Sequence, residues 1–192
     1  QYLANDLSNG YARGIDMKIN GEFVSGVESW VSLSVMKTEE DIVGDFITNT
    51  DGSTTEAGFI PRPTDQRVNF SMFFQDYIPG NPNYKMHLNL VYGTGLSFGP
   101  PKAEKYQDIL RIPDYRRVDI GFSAVLKSED KKSRLKWLNA FKSIWLSAEV
   151  FNLLDINNTV SYLWVADITG RQYAIPNYLT SRQLNAKLIL TF

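Results

Sequence analysis

The sequence predicts an all-β fold, an antiparallel segment of a transmembrane β-barrel, and three observations predict it. Apolar and polar side chains alternate with a period of two in seven separate stretches. The connectors between them alternate between short and long, and the last apolar series runs to the final residue, Phe192. Successive side chains of a strand point to opposite faces, so each stretch describes a ribbon with one apolar and one polar side. Taken alone, the apolar side suits either a protein core or lipid.

The stretches follow in chain order. Tyr11, Ile15, Met17 and Ile19 share one face, with Arg13 as exception, against Asp16, Lys18 and Asn20. Val31, Leu33 and Val35 oppose Ser32 and Ser34. Val68, Phe70, Met72 and Phe74 oppose Arg67, Asn69, Ser71 and Gln75, interrupted by Phe73. Met86, Leu88, Leu90 and Tyr92 oppose Lys85, His87 and Asn89. Val118, Ile120, Phe122, Ala124 and Leu126 oppose Arg117, Asp119, Gly121, Ser123 and Lys127. Ile144, Leu146, Ala148 and Val150 oppose Ser147 and Glu149, with Trp145 on the mixed side. Leu184, Ala186, Leu188, Leu190 and Phe192 oppose Gln183, Asn185, Lys187 and Thr191, and Ile189 alone breaks the pattern.

"NGEF", "IPGNPN" and "SEDKKSRLKWLNAFK" are compact connectors. Between them lie "EEDIVGDFITNTDGSTTEAGFIPRPTD", "TGLSFGPPKAEKYQDILRIPDY" and "INNTVSYLWVADITGRQYAIPNYLT", each more than 20 residues long. Successive antiparallel strands leave a sheet at opposite ends, so all the long connectors fall at one end. Short periplasmic turns and long extracellular loops are the asymmetry of an outer-membrane barrel, whereas soluble domains favour connections of about 4 to 6 residues. The third long loop is expected to carry its own hairpin, from Thr159 to Asp167 and back near Gln172. If that arm spanned, the count would be eight and a small closed barrel would be possible. Its "SYLWVADI" lacks clean alternation, which favours seven.

A net charge of −1 argues against the broad basic face of a nucleic-acid binder. Without cysteine there are no disulfides and no thiolate metal sites. No apolar run is long enough for a transmembrane helix, which leaves a barrel open because its apolar residues occupy every second position. Gln1 opens no signal peptide, so a mature product, a fragment or a non-secreted protein is expected. Tyr11, Trp30, Tyr77, Tyr92, Tyr115 and Trp145 lie toward strand ends, where girdles at the lipid interface would sit.

The stretches "YARGIDMKINGEF", "WVSLSVMKTEE", "IPRPTDQR", "YGTGLSFGPP", "IPDYRRVDIGFS", "AEVFNLLDINNTVSYLWV" and "YAIPNYLTSRQLNAKLILTF" resemble, in this order, the C-terminal third of TonB-dependent outer-membrane receptors. The branch they are most similar to carries an N-terminal carboxypeptidase-regulatory-like domain. The resemblance implies an active nutrient transporter of the bacterial outer membrane, energised through TonB, with a plug inside the barrel and no catalytic residues or cofactor. Residues 1–192 would be one incomplete C-terminal part of the barrel, about seven strands of a 22-stranded wall, with the plug and roughly fifteen strands lying elsewhere. With seven strands ending at Phe192, the first strand starts on the outer side, where a complete barrel would not begin. The partners implied are the lipid bilayer, the remaining barrel and plug, TonB through the N-terminal part, and the outer-membrane assembly machinery. A surface lipoprotein is a further partner left open. Leu184, Ala186, Leu188, Leu190 and Phe192 resemble the assembly signal and form the barrel-closing strand. The alternative is a small barrel or β-sandwich that binds through its loops and transports nothing.

Few side chains suggest chemistry. "GLSFG", Gly95 to Gly99, fits a nucleophile-elbow pattern, but Pro100 and Pro101 follow and no histidine comes after Ser97. His87 is the only histidine and is expected on the wet face. Asp41, Asp45, Asp51 and Glu56 could supply oxygen ligands to calcium. Their spacing is not that of an EF-hand, and a solvated loop is the simpler expectation. Lys127, Lys131, Lys132, Arg134, Lys136 and Lys142 would keep one turn soluble or meet anionic headgroups. Loop aromatics, among them Phe46, Phe59, Phe98, Tyr106, Tyr162, Trp164, Tyr173 and Tyr178, could line an outer vestibule, without any one being assigned to ligand.

Overall fold

The computed structural model describes residues 8–101, 104, 106, 109–128, 138 and 140–192. Its strands are β1 (Ser8–Val24), β2 (Val27–Ile42), β3 (Phe46–Thr48), β4 (Thr54–Glu56), β5 (Ile60–Pro61), β6 (Val68–Ile78), β7 (Asn81–Gly93), β8 (Ser97–Phe98), β9 (Leu110–Arg111), β10 (Tyr115–Lys127), β11 (Ser143–Phe151), β12 (Thr159–Ala166), β13 (Gln172–Tyr178) and β14 (Gln183–Thr191). The chain is all-β and antiparallel, with no α-helix among the described residues. Seven long strands form one sheet in the order β1-β2-β6-β7-β10-β11-β14, with β5 added against β2. These are the seven alternating stretches, each beside its predecessor in the series. Three small hairpins, β3–β4, β8–β9 and β12–β13, decorate the long connectors. The last is the hairpin expected in the third loop.

Register follows from the alternation. Leu33 faces Phe70, Met72 faces Leu90, Ile120 lies between Leu88 and Val150, and Leu146 faces Leu188. A one-residue slip anywhere would set an apolar row beside a polar one, so the pattern that makes the strands also pins their pairing.

Two tight turns are resolved at the short-connector end. Pro79 and Gly80 link β6 to β7, and Ser25 and Gly26 link β1 to β2. Gly80 and Gly26 have φ of 76° and 81°, backbone that a side chain would strain. The second turn falls later than "NGEF" suggests. That tetrapeptide lies inside β1, where the register shifts between Gly21 and Val24. Asn-Gly is a strong turn signal, but here the chain absorbs it as an irregularity and continues.

The distribution of polarity is inverted relative to a soluble domain. Among the described residues only Val27, Ile60 and Ile144 are buried apolar side chains, whereas Ser29, Asp65, Asp119, Ser147 and Asn152 are among the buried polar ones. Ile15, Met17 and Ile19 of β1 are 69%, 55% and 64% exposed. Among the described residues no second sheet of comparable size covers either face. One face can lose exposure without a covering layer only if the sheet curves toward it. Phe73, Gln75, Lys85, His87, Ser123, Ser147, Glu149 and Lys187 line a cavity of about 570 Å³ that runs across β6, β7, β10, β11 and β14. All of them occupy the polar parity of their strands, where Asp119, Lys127 and Ser147 are buried while Leu184 and Leu188 opposite are exposed. A groove of about 490 Å³ lies on the apolar parity of β10, β11 and β14, and we take the more sheltered, wet side as the concave one.

Candidate functional site: the polar face and its loop end

Across the concave face, directly paired positions run Gln75, His87, Gly121, Glu149 and Asn185. Gly121 leaves room for a ring: a Cβ there would meet His87 Cε1 at 2.1 Å. The imidazole therefore lies over the neighbouring strand, with its Nε2 4.0 Å from Glu149 Oε1 and its ring 5.8 Å from that of Phe73. Asn185 Nδ2 donates to Glu149 Oε2 at 2.9 Å, and the Ser123 and Ser147 hydroxyls share a hydrogen bond at 2.7 Å. Lys127 is buried as well. Its Nζ donates to the carbonyl oxygens of Phe141 and Lys142.

At the long-connector end two buried aspartates gather the loops onto the sheet. Asp65, wholly buried between β5 and β6, accepts from Thr38 N at 2.8 Å, from Arg67 Nε at 2.7 Å and from Arg111 Nη2. Arg111 also donates to the carbonyls of Asp65 and Gly95, so one guanidinium joins the first long connector to the second. Burial pushes the Asp65 carboxyl up, but the Thr38 amide and the Arg111 and Arg67 guanidinium groups together hold it below the usual carboxylate range. Beyond it, Glu39 binds Lys37 Nζ at 2.7 Å and accepts from Tyr11 Oη at 2.5 Å.

Asp119, the second node, accepts from Arg117 Nε at 2.7 Å, Asn152 N at 2.8 Å and Asn89 Nδ2 at 3.1 Å. "FNLLDINN", which follows from the end of β11, folds around it. Asn152 and Asp155 take left-handed backbone with φ of 52° and 54°, as Asn and Asp tolerate. The Asn158 amide accepts from Arg116 N at 2.8 Å and donates to Arg116 O at 2.9 Å, so it completes the free edge of β10 as a strand would. Arg182 N donates to Asp155 Oδ1 at 2.8 Å and Arg182 Nε to Leu153 O at 3.1 Å, which ties the start of β14 to the same turn.

The residues singled out from the sequence distribute unevenly. Leu184, Ala186, Leu188, Leu190 and Phe192 lie in or just after β14. They alternate on its apolar side, all exposed, and among the described residues β14 pairs with β11 alone. Ser97 is buried on β8, its Oγ without a partner among the described residues, beside a loop-end cavity of about 240 Å³. It stands on a two-residue strand rather than on the strand-to-helix turn that a nucleophile elbow needs. The girdle expectation needs correction. Tyr77 and Trp145 line the concave cavity, and Trp30 pairs with Phe73, which lines it too. Nearness to a strand end was right for them, but parity puts them on the wet face. Tyr92 keeps the apolar parity, with its hydroxyl donating to Asp114 at 2.9 Å.

Phe98 stacks on Tyr162 at 4.6 Å with 6° between planes and lies 6.2 Å from Trp164, so loop aromatics expected to line a vestibule pack on one another. Lys131, Lys132, Arg134 and Lys136 lie outside the described residues. Asp41, Asp45 and Glu56 converge, while Asp51 caps Ser53 in the β3–β4 turn. Sequence reading missed Asp65, and it passed over Asp119 as one more wet-face residue. Their partners lie far along the chain, and no local spacing announces them. No family model, curated protein or solved structure matches the chain.

Proposed function

We propose that this chain is wall and loop of an outer-membrane nutrient receptor, the C-terminal part of a TonB-dependent transporter barrel. The observation that carries the proposal is the inverted sheet, wet and sheltered on its concave side, apolar and bare on its convex side. In water such a surface is an aggregation hazard far larger than a normal exposed patch. In a bilayer it is the stabilising surface, while the backbone groups of the strands inside the sheet, β2 to β11, bond to their neighbours.

The dimensions agree. From Val118 to Leu126 the apolar row of β10 covers roughly 26 Å of strand at about 3.3 Å per residue. Tilted by about 40°, that row is roughly 20 Å tall, close to the apolar band of about 25 Å in such barrels. β1 and β14 are the edges of the sheet, and in lipid an unpaired edge is costly, so the proposal requires further strands against both. The concave groups then face a lumen and its plug, and the pinned loops face the ligand, a metal chelate, glycan or peptide. Energy would reach the plug through TonB.

Fractionation tests this. The protein should sediment with outer membranes and come into solution only with detergent. Recovery from the aqueous fraction without detergent would sink the proposal.

A further inference from the structure

The first long connector contains a carboxylate that the fold leaves unanswered. Asp41 stands near the end of β2, Asp45 follows the turn that leaves it, and Glu56 ends β4 opposite Phe46. Asp45 N donates to Ile42 O at 3.3 Å and Ala57 N to Asp45 O at 2.9 Å, so main-chain bonds hold Asp45 between strand and hairpin. One carboxylate oxygen from each of Asp41, Asp45 and Glu56 lies within 4.8 Å of the other two. Asp45 is 1% exposed, and among the described residues neither of its carboxylate oxygens, nor Asp41 Oδ1, has a hydrogen-bond partner.

Asp65 and Asp119 show how this protein normally treats a buried carboxylate: each collects three donors. Among the described residues Asp45 collects none, and it has two further acids beside it. Like charges this close, withdrawn from water, are strongly unfavourable unless a cation sits among them.

We infer that Asp41, Asp45 and Glu56 bind a calcium ion that fastens the β3–β4 hairpin to the end of β2. The donors are hard oxygens. The sequence has no cysteine, and its only histidine, His87, lies on β7, so metals that favour nitrogen or sulfur are not matched. Oxygens on opposite sides of calcium stand roughly 4.6 to 5.2 Å apart, twice the usual bond length, and the cluster fits within that sphere. Three ligands from three chain segments suit the irregular shell of calcium better than the strict octahedron of magnesium. The inference stands on this loop geometry and is independent of the membrane proposal.

Titration calorimetry of the purified full-length protein with calcium chloride tests it, with limited proteolysis of segment 43–58 as second readout. Binding is expected with Kd on the order of 10⁻⁴ to 10⁻³ M. Asp45→Asn and Glu56→Gln should each weaken it by roughly tenfold or more. Chelation should speed cleavage of 43–58 in the parent protein and leave the rate in Glu56→Gln little changed. Glu56 is exposed, so that variant remains informative if Asp45→Asn fails to fold. Absence of binding up to about 10 mM calcium, equal affinity for magnesium, or unchanged affinity in Glu56→Gln would each overturn the assignment.

Discussion

Gly95 and Gly121 both stand where a side chain would collide, yet they differ in what they would hit. A Cβ on Gly95 would come within 1.5 Å of Ile112 O, a main-chain atom of a residue whose N–H donates to Leu96 O at 3.0 Å. The nearest atoms that a Cβ on Gly121 would meet belong to the ring of His87, the far end of a side chain that can rotate away. Gly95→Ala should therefore destabilise by about 3 kcal/mol or more and Gly121→Ala by about 1 kcal/mol, measured by reversible unfolding from lipid vesicles. A Gly121→Ala penalty equal to that of Gly95→Ala would mean that the imidazole is locked in place.

Asp65 carries a pH prediction at the same scale. Its folded value is below that of an unfolded aspartate, about 3.9. Its stabilising contribution is therefore complete above that value and disappears as pH falls through the lower folded one. Hydrogen exchange of segments 60–67 and 94–98 should accelerate below about pH 4, and Asp65→Asn should raise it at neutral pH and remove that acid step. No local pattern marks Asp65, because Arg111 reaches it across 46 positions of chain. Asp45 was visible as an acid but not as a buried one, since its burial depends on how the turn after β2 folds back.

Elements read well from the sequence where a period could speak and badly where only a dipeptide did. The strand β10 shows eight residue steps of alternation from Val118 to Leu126, and nothing in a loop or helix reproduces that pattern. "NGEF" offered two residues of turn chemistry against the continuing alternation of β1, and the strand won. Parity already puts Trp145 on the side of Ser147 and Glu149 in the sequence, and the girdle expectation counted only its nearness to a strand end.

β14 gives the sharpest test at this scale. Leu188 is 56% exposed on the apolar side, and Lys187 pairs with Ser147 on the concave one. In the proposed barrel, Leu188→Arg should cost about 2 to 4 kcal/mol if that side chain lies near the bilayer midplane. Lys187→Ala should cost little. Equal penalties in folding into lipid would contradict this facing.

At the scale of the whole molecule, the question is which medium touches the convex face. A soluble protein with a hidden second layer and a membrane barrel predict different environments for the same residues, and the chain offers a clean way to ask. It contains no cysteine, so a nitroxide can be placed at any single position of β10. In a bilayer, collisions with dissolved oxygen should be frequent at Val118, Ile120, Phe122, Ala124 and Leu126, where the label sits among lipid chains. They should be rarer at Asp119, Gly121 and Ser123, which face the concave side. A water-soluble paramagnetic reagent should show no matching maximum on the convex positions, because lipid excludes it. Were the convex face instead sealed under another protein layer, both reagents would be excluded from the same even-numbered sites, and the period-two swing in oxygen contact would invert. The phase of that swing therefore separates lipid from protein core.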